Sequence, residues 1–176
     1  MIPEIKKILY VTDLSRNAAY AFRYAVRFMK SFDAEVVILT VVKGFNPVDE
    51  VPVVVQMGEN SFKKAREEAL KNVLQRLKRR LDNYAKRELS EEEKAQMTER
   101  ISIEVQEGDP AVRILEAAEA DDVDMVIMGA HSKEVLKYTF LGGVTQRVLR
   151  HIRKPVLVVP IPKGSFELSF KEDDTL

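Results

Sequence analysis

Two glycine-containing segments in the last third of the chain have the residue types of a phosphate-binding loop. They are Met128-Gly129-Ala130-His131-Ser132 and Leu141-Gly142-Gly143-Val144-Thr145. Glycine lets a backbone approach a ligand closely, and the free N–H groups at a helix N-terminus attract phosphate oxygens. Glycines at the ends of loops also have purely structural explanations. The pattern alone therefore indicates a candidate anion site without identifying its ligand.

An acidic residue, Asp13, follows the first apolar run of the chain, directly after Thr12. Such a carboxylate could assist a magnesium ion held by phosphates, but one carboxylate makes a poor metal cage. A turn residue after a strand is the simpler interpretation. Ser15 has no histidine near it in the sequence, so a hydrolase triad is not evident. We predict no catalytic residue and no dedicated metal site.

The two histidines of the chain have different surroundings. His131 lies in the first glycine segment and could hydrogen-bond a phosphate. His151 lies near the end of a predicted helix, where the helix dipole favours a cation, and a structural role is the better interpretation there.

Short apolar runs alternate with segments of helical spacing. Strands are predicted at 5–12, 35–42, 101–107, 123–129 and 156–161, and helices at 16–32, 110–120 and 143–152. Ser15 is the predicted cap of the first helix, and Asp109 with Pro110 opens a later one. Strands that alternate with helices indicate an α/β fold, with a parallel sheet covered on both faces. A doubly wound sheet is the simplest topology.

Two segments interrupt this alternation. Residues 43–58 form a long connection whose valines either cover a cleft or meet a partner, or pin the loop to its own core. Residues 60–88 have an apolar stripe at helical spacing, which predicts a helix roughly 40 Å long. It is either a crossover helix with an overhang or an overhang that contacts a second subunit.

The composition excludes several classes of protein. The 176 residues include 28 Lys or Arg, 28 Asp or Glu and no Cys, so the net charge is zero. A zero balance disfavours a general nucleic-acid binder, and the lack of cysteine excludes disulfides and thiolate metal sites. No run approaches the roughly 18 apolar residues of a membrane span, and the N-terminal MIPEIKK has no signal-like region. We expect a cytoplasmic protein that binds neither membrane nor nucleic acid.

Three segments together resemble the universal stress protein family, over about residues 4–162. They are KKILYVTDLS, EGDPAVRILEAAEADDVDMVIMGAHS and LGGVTQRVLRHIRKPVLVVP. The resemblance implies a five-stranded parallel sheet of order 3-2-1-4-5, with a Rossmann-like fold related to the adenine nucleotide alpha hydrolases. It implies one domain over 1–163, with a helical insertion at about 60–100 and a polar tail at 164–176. It also implies a homodimer formed through the last strand, at Val156, Leu157, Val158, Val159 and Pro160.

Many members of that family bind ATP through a loop of the form Gly, two residues, Gly, nine residues, Gly, then Ser or Thr. Here Gly129 and Gly142 match, whereas Ser132 replaces the second glycine and Gly143 replaces the hydroxyl residue. The resemblance further assigns to the nucleotide site the residues Thr12, Asp13, Val41, Met128, His131, Val144 and Thr145. Loss of one neutral hydrogen bond costs on the order of 1 kcal/mol, about fivefold in affinity, which weakens a site without abolishing it.

Two functions follow from the altered loop. The first is a stress-response regulatory module that binds ATP, with or without Mg²⁺, between strands 1 and 4 and acts as a dimeric switch with at most slow hydrolysis. The second is a nucleotide-free dimeric interaction protein.

Residues 130–163 hold seven Lys or Arg and one Glu, and among them Lys133, Lys137 and Arg147 could draw an anion toward Gly142. These basic residues could equally solvate a helix.

Overall fold

The computed structural model describes residues 3–43, 54–88, 90–120, 122–130 and 141–160. The strands are β1 (Lys7–Val11), β2 (Glu35–Val42), β3 (Ile101–Glu107), β4 (Met125–Gly129) and β5 (Val156–Val159). The helices are α1 (Arg16–Phe32), α2 (Glu59–Glu88), α3 (Glu91–Arg100), α4 (Pro110–Ala118) and α5 (Gly143–His151). A single helical turn at 54–57 precedes α2. The predicted alternation is confirmed, with element ends displaced by one or two residues.

Within the described residues the sheet has five parallel strands in the order β3-β2-β1-β4-β5. β1 lies at the centre, and its Leu9 faces Val37 on one side and Val126 on the other. The predicted strand order is therefore confirmed. Because β2 and β4 flank β1, the chain winds away from it in both directions, and the switch point lies between β1 and β4.

Alternate residues of β1 enter two separate cores, one on each face of the sheet. Ile8 and Tyr10 pack with Phe22 and Met29 of α1 and with Leu77 of α2. On the other face, the buried members of the core come from β1, β2, α4, β4 and α5, and include Leu9, Leu39, Ile114, Val126 and Val148. Burial on both faces explains why β2 and β4 have nearly continuous apolar sequences.

The predicted helix starts are also confirmed. Ser15 Oγ accepts the N–H of Ala18 at 3.2 Å, which caps α1. Asp109 Oδ1 accepts the N–H of Val112 at 3.0 Å, and Pro110 occupies the first turn of α4. These caps fix where each helix begins after the carboxyl end of a strand.

The long helix α2 contains 30 residues, which corresponds to about 45 Å. Leu77 in its second half is buried, whereas the first half is mainly exposed, with Phe62 and Leu70 half-buried. The predicted long helix is therefore confirmed, whereas its overhang and a contact with a second subunit stay predictions. Among the described residues, no helix is long and apolar enough to cross a membrane.

Candidate functional site at the carboxyl edge of the sheet

The loop between β1 and α1 is held by its own polar groups. Thr12 Oγ1 accepts the N–H of Leu14 at 3.1 Å, and Asp13 Oδ1 accepts the N–H of Ser15 at 2.9 Å. Leu14 has a φ of 63°, a left-handed backbone that is uncommon for a leucine. The backbone N–H of Thr12 donates to Leu39 O at 2.9 Å, and Thr40 Oγ1 donates to Thr12 O at 2.8 Å. The loop is thereby fixed to the end of β2.

Asp13 combines the turn role predicted from the sequence with exposure to solvent. One carboxylate oxygen closes the turn onto Ser15, and the side chain is exposed at the edge where β1 ends. Ligands of doubly wound sheets bind at this edge. The turn role therefore leaves the carboxylate accessible from solvent.

An arginine from the long helix also reaches this loop, which sequence reasoning missed. Arg80 Nη1 donates to the backbone oxygen of Leu14. Beneath the loop, the hydroxyl of buried Tyr10 donates to Ala18 O at 2.5 Å. Burial raises the pKa of Tyr10, so this hydroxyl stays protonated. The sequence does indicate that Arg80 faces the core side of the helix, because it lies three residues after the apolar Leu77 and therefore on the same helix face.

The two glycine segments meet although ten residues separate Ala130 from Leu141 in the sequence. The N–H of Gly142 donates to Ala130 O at 2.8 Å, and Thr145 Oγ1 donates to Gly129 O at 3.1 Å. Ala130 is fixed in turn by its N–H, which donates to Val159 O at 2.9 Å. The start of α5 is therefore attached to the carboxyl end of β4.

The N-terminus of α5 exposes backbone rather than side chains. Gly142 is the N-cap and makes no side-chain cap, and Gly143 is exposed. The first intrahelical bond is donated by the N–H of Gln146, to Gly142 O at 2.9 Å. The preceding N–H groups of Gly143, Val144 and Thr145 have no acceptor within the helix. Such groups, together with the helix dipole, favour an anion.

The β1–α1 loop and the α5 N-terminus lie on neighbouring strands. Val11 is in register with Met128, so Asp13 and Gly129 leave the same edge of the sheet side by side. Met128 is buried in the core, so a ligand at this edge would meet its backbone. Val41 is half-buried near the end of β2, on the far side of β1. The arrangement places the Asp13 carboxylate and the N–H groups at the start of α5, which have no acceptor within the helix, at the same edge of the sheet.

Comparison with known proteins identifies the family. The model of the universal stress protein family matches residues 4–160. The chain belongs to that family. Two universal stress proteins of Methanocaldococcus jannaschii, MJ0577 and MJ0531, are each 34% identical to it. The match to MJ0577 covers 88% of this chain and 94% of that protein, and the match to MJ0531 covers 90% and 84%.

Solved structures of universal stress proteins share the fold. The structure of MJ0577 superposes with a TM-score of 0.65 at 30% identity, covering 92% of this chain and 100% of that one. UspA of Lactobacillus plantarum gives a TM-score of 0.59 at 20% identity, covering 90% and 99%. A universal stress protein solved in complex with cAMP gives 0.52 at 18% identity, covering 90% and 98%, a likeness of fold alone.

Two of the residues predicted for a universal stress protein nucleotide site, His131 and Ser132, lie outside the described residues. The same holds for Lys133 and Lys137. The structure brings together Thr12, Asp13, Met128, Gly129, Gly142, Gly143, Val144 and Thr145 at one edge of the sheet. The contribution of residues 131–140 remains a prediction from the family motif.

Arg147 has a different position from the one suggested by its charge. Its Nη1 donates to Asp109 Oδ2 at 2.8 Å, which ties α5 to the cap of α4. The bond to Arg147, followed by the Val112 N–H bond, lowers the pKa of Asp109. Arg147 therefore links α5 to α4 through an exposed ion pair, and its proposed role in drawing an anion toward Gly142 stays a prediction. His151 Nδ1 lies 2.9 Å from Arg147 O, in agreement with its predicted structural role.

The last strand is an edge of the sheet. Among the described strands β5 pairs with β4 alone, and Val156, Leu157 and Val158 are half-buried. Val159 is buried, and Pro160 after it is exposed. An apolar edge strand with one unpaired side is suited to pairing with another chain.

Proposed function

We propose that this universal stress protein binds ATP at the edge between β1 and β4 and works as a nucleotide-dependent switch. The general stress-response role of the family extends to this chain through its membership. The observation that carries the proposal is the junction of Gly129 and Ala130 with the N-terminus of α5, beside the Asp13 loop. Exposed N–H groups at a helix start beside glycine are well suited to binding phosphate.

The phosphates would lie against the N–H groups of Gly143, Val144 and Thr145. A hydroxyl donor is missing at Gly143, but its backbone N–H remains and the small residue leaves the helix start open. Thr145 cannot replace that donor simply, because its hydroxyl already donates to Gly129 O. We therefore expect binding that is weakened relative to a complete motif.

The nucleoside would extend across the end of β1 toward β2. Asp13 is exposed there and retains a carboxylate oxygen for the ribose hydroxyls, and the backbone at Val41 would meet adenine. A universal stress protein of the same fold holds cAMP, an adenine nucleotide. With Asp13 at the ribose, no strong base is assigned to the γ-phosphate, and hydrolysis would be slow. Mg²⁺ would be carried by the phosphates of the nucleotide.

The switch would act within a homodimer formed through β5. Its half-buried Val156, Leu157 and Val158 supply an apolar edge, and β5 is joined to the loop directly by the bond from Ala130 N–H to Val159 O. A ligand bound next to Ala130 would therefore affect the strand that is proposed to contact the second subunit. Use of ATP by a chain without cysteine fits a cytoplasmic location.

Native mass spectrometry followed by calorimetric titration with Mg-ATP tests this function. We expect a bound adenine nucleotide, or binding up to millimolar ATP, in the wild type. Gly129→Val should abolish binding, because the added side chain would fill the site where the backbone meets the phosphates. Thermal unfolding of the variant serves as its folding control.

Absence of bound nucleotide and of binding at millimolar ATP would reject ATP binding. The nucleotide-free dimeric interaction protein, which the Ser132 and Gly143 substitutions favour, would then be the better description. Equal affinities of wild type and Gly129→Val would instead show that ATP binds at a different place.

A further inference from the structure

Helix α2 lies away from the proposed nucleotide site but contacts the loop that forms one side of it. Arg80, in the inner half of α2, donates through Nη1 to the backbone oxygen of Leu14. The two residues are 66 positions apart in the sequence. The contact therefore joins the long helical insertion to the end of β1.

The acceptor belongs to the residue of the loop that has the least favourable backbone. Leu14 adopts a left-handed conformation with a φ of 63°, which a branched side chain rarely takes. Its N–H is bonded to Thr12 Oγ1, and the next N–H, of Ser15, is bonded to Asp13 Oδ1. A bond from a charged guanidinium to the Leu14 carbonyl completes the set that holds this turn and the Asp13 carboxylate.

We propose that Arg80 is a positioning residue, through which helix α2 sets the affinity of the Asp13 loop for nucleotide without touching the ligand. This proposal rests on the proposed function for its affinity effect, but the effect on the loop is independent of it. Because coupling is reciprocal, a nucleotide that orders the loop would also order α2 around Arg80. The conformation of α2, whose first half is exposed, would then depend on whether a nucleotide is bound.

The test compares Arg80→Met with Arg79→Met, a matched change at the neighbouring, exposed position. Methionine keeps an apolar stem of similar length and removes the donor. We expect Arg80→Met to weaken Mg-ATP binding by up to about tenfold, the limit reached if the whole free energy of the bond from this charged donor to Leu14 serves to hold the loop for the ligand, and Arg79→Met to bind as wild type. Arg80→Lys, which keeps the charge but not the planar donor, should lie between wild type and Arg80→Met.

Amide hydrogen exchange of the ligand-free proteins gives the second readout. The N–H groups of Leu14 and Ser15 should exchange faster in Arg80→Met than in wild type and Arg79→Met. If Arg80→Met does not fold, faster exchange of the same amides in Arg80→Lys supports the proposal, and exchange equal to wild type overturns it.

The outcomes separate the two proposals. A wild type that binds no nucleotide rejects the proposed function, and the exchange of Leu14 and Ser15 still decides the role of Arg80. Unchanged exchange in Arg80→Met overturns the role of Arg80, whatever the wild type binds. Faster loop exchange with unchanged ATP affinity overturns the coupling to the ligand.

Discussion

At the scale of single residues, Gly143 is one of two positions at which this chain departs from the family motif, and it is the one that lies within the described residues. A Cβ placed on Gly143 would meet no heavy atom of the described residues within 4 Å. We expect Gly143→Ser to strengthen ATP binding about fivefold, because the hydroxyl supplies one neutral hydrogen bond to a phosphate at the helix start. Calorimetric titration of Mg-ATP measures the change.

Gly143→Ala is the control, since it adds the Cβ without the hydroxyl. Alanine and serine both restrict the unfolded chain relative to glycine, so a similar gain in stability is expected from each. Equal ATP affinity of the serine and alanine variants would mean that no phosphate lies within reach of this position.

At the scale of secondary-structure elements, Asp109 joins two helices of the same face. Its Oδ1 caps α4 by accepting the N–H of Val112, and its Oδ2 accepts a hydrogen bond from Arg147 Nη1 of α5 at 2.8 Å. We expect Asp109→Ala to lower the free energy of unfolding by about 1 kcal/mol, the usual effect of losing an N-cap. Urea denaturation at neutral pH measures the loss.

The acid dependence of stability separates the charge from the cap. The Arg147 bond, followed by the Val112 N–H bond, lowers the pKa of Asp109 in the folded protein. Its contribution is therefore present above the unfolded pKa of about 3.9 and is lost as pH falls through the folded pKa. Asp109→Asn keeps the cap, so it should stay within about 0.5 kcal/mol of wild type at neutral pH and lose less stability on acidification. A loss as large as that of alanine would contradict this assignment.

The elements were predictable because their patterns are local, whereas contacts between elements were not. The apolar runs of β2 and β4 are each continuous in the sequence, and the caps at Ser15 and Asp109 each bond an N–H only three residues away. The Arg80–Leu14 and Arg147–Asp109 contacts span 66 and 38 residues. The same helices contain many other basic side chains, and the local sequence does not distinguish them from Arg80 and Arg147. Only the packing of α2 on β1, and of α5 against α4, selects among them.

At the scale of the whole molecule, the sheet has two different edges. β3 is a seven-residue strand at one edge, beside the long helix. Its last residue, Glu107, accepts a hydrogen bond through Oε2 from Arg66 Nε of α2 at 2.5 Å. β5 is four residues long, lies at the opposite edge, and is half-buried over most of its length. Helix α2 therefore lies against the β3 side of the sheet, and the unpaired apolar edge of the described strands lies on the side of the proposed nucleotide site.

The β5 edge makes the assembly testable with one substitution. Leu157 is half-buried near the middle of β5, and we expect Leu157→Lys to convert a dimer into monomers, because a charge at the centre of an apolar interface loses its hydration. Analytical ultracentrifugation at micromolar concentration measures the change, and circular dichroism checks that the variant is folded. Val112→Lys is the matched control, since Val112 is 45% exposed on α4, which packs against α5 and over β1, β2 and β3. It should leave the dimer intact.

Two results would contradict this assembly. A folded Leu157→Lys variant that sediments as a dimer would place the subunit interface away from β5, and a wild type that sediments as a monomer would exclude the dimeric form of the switch.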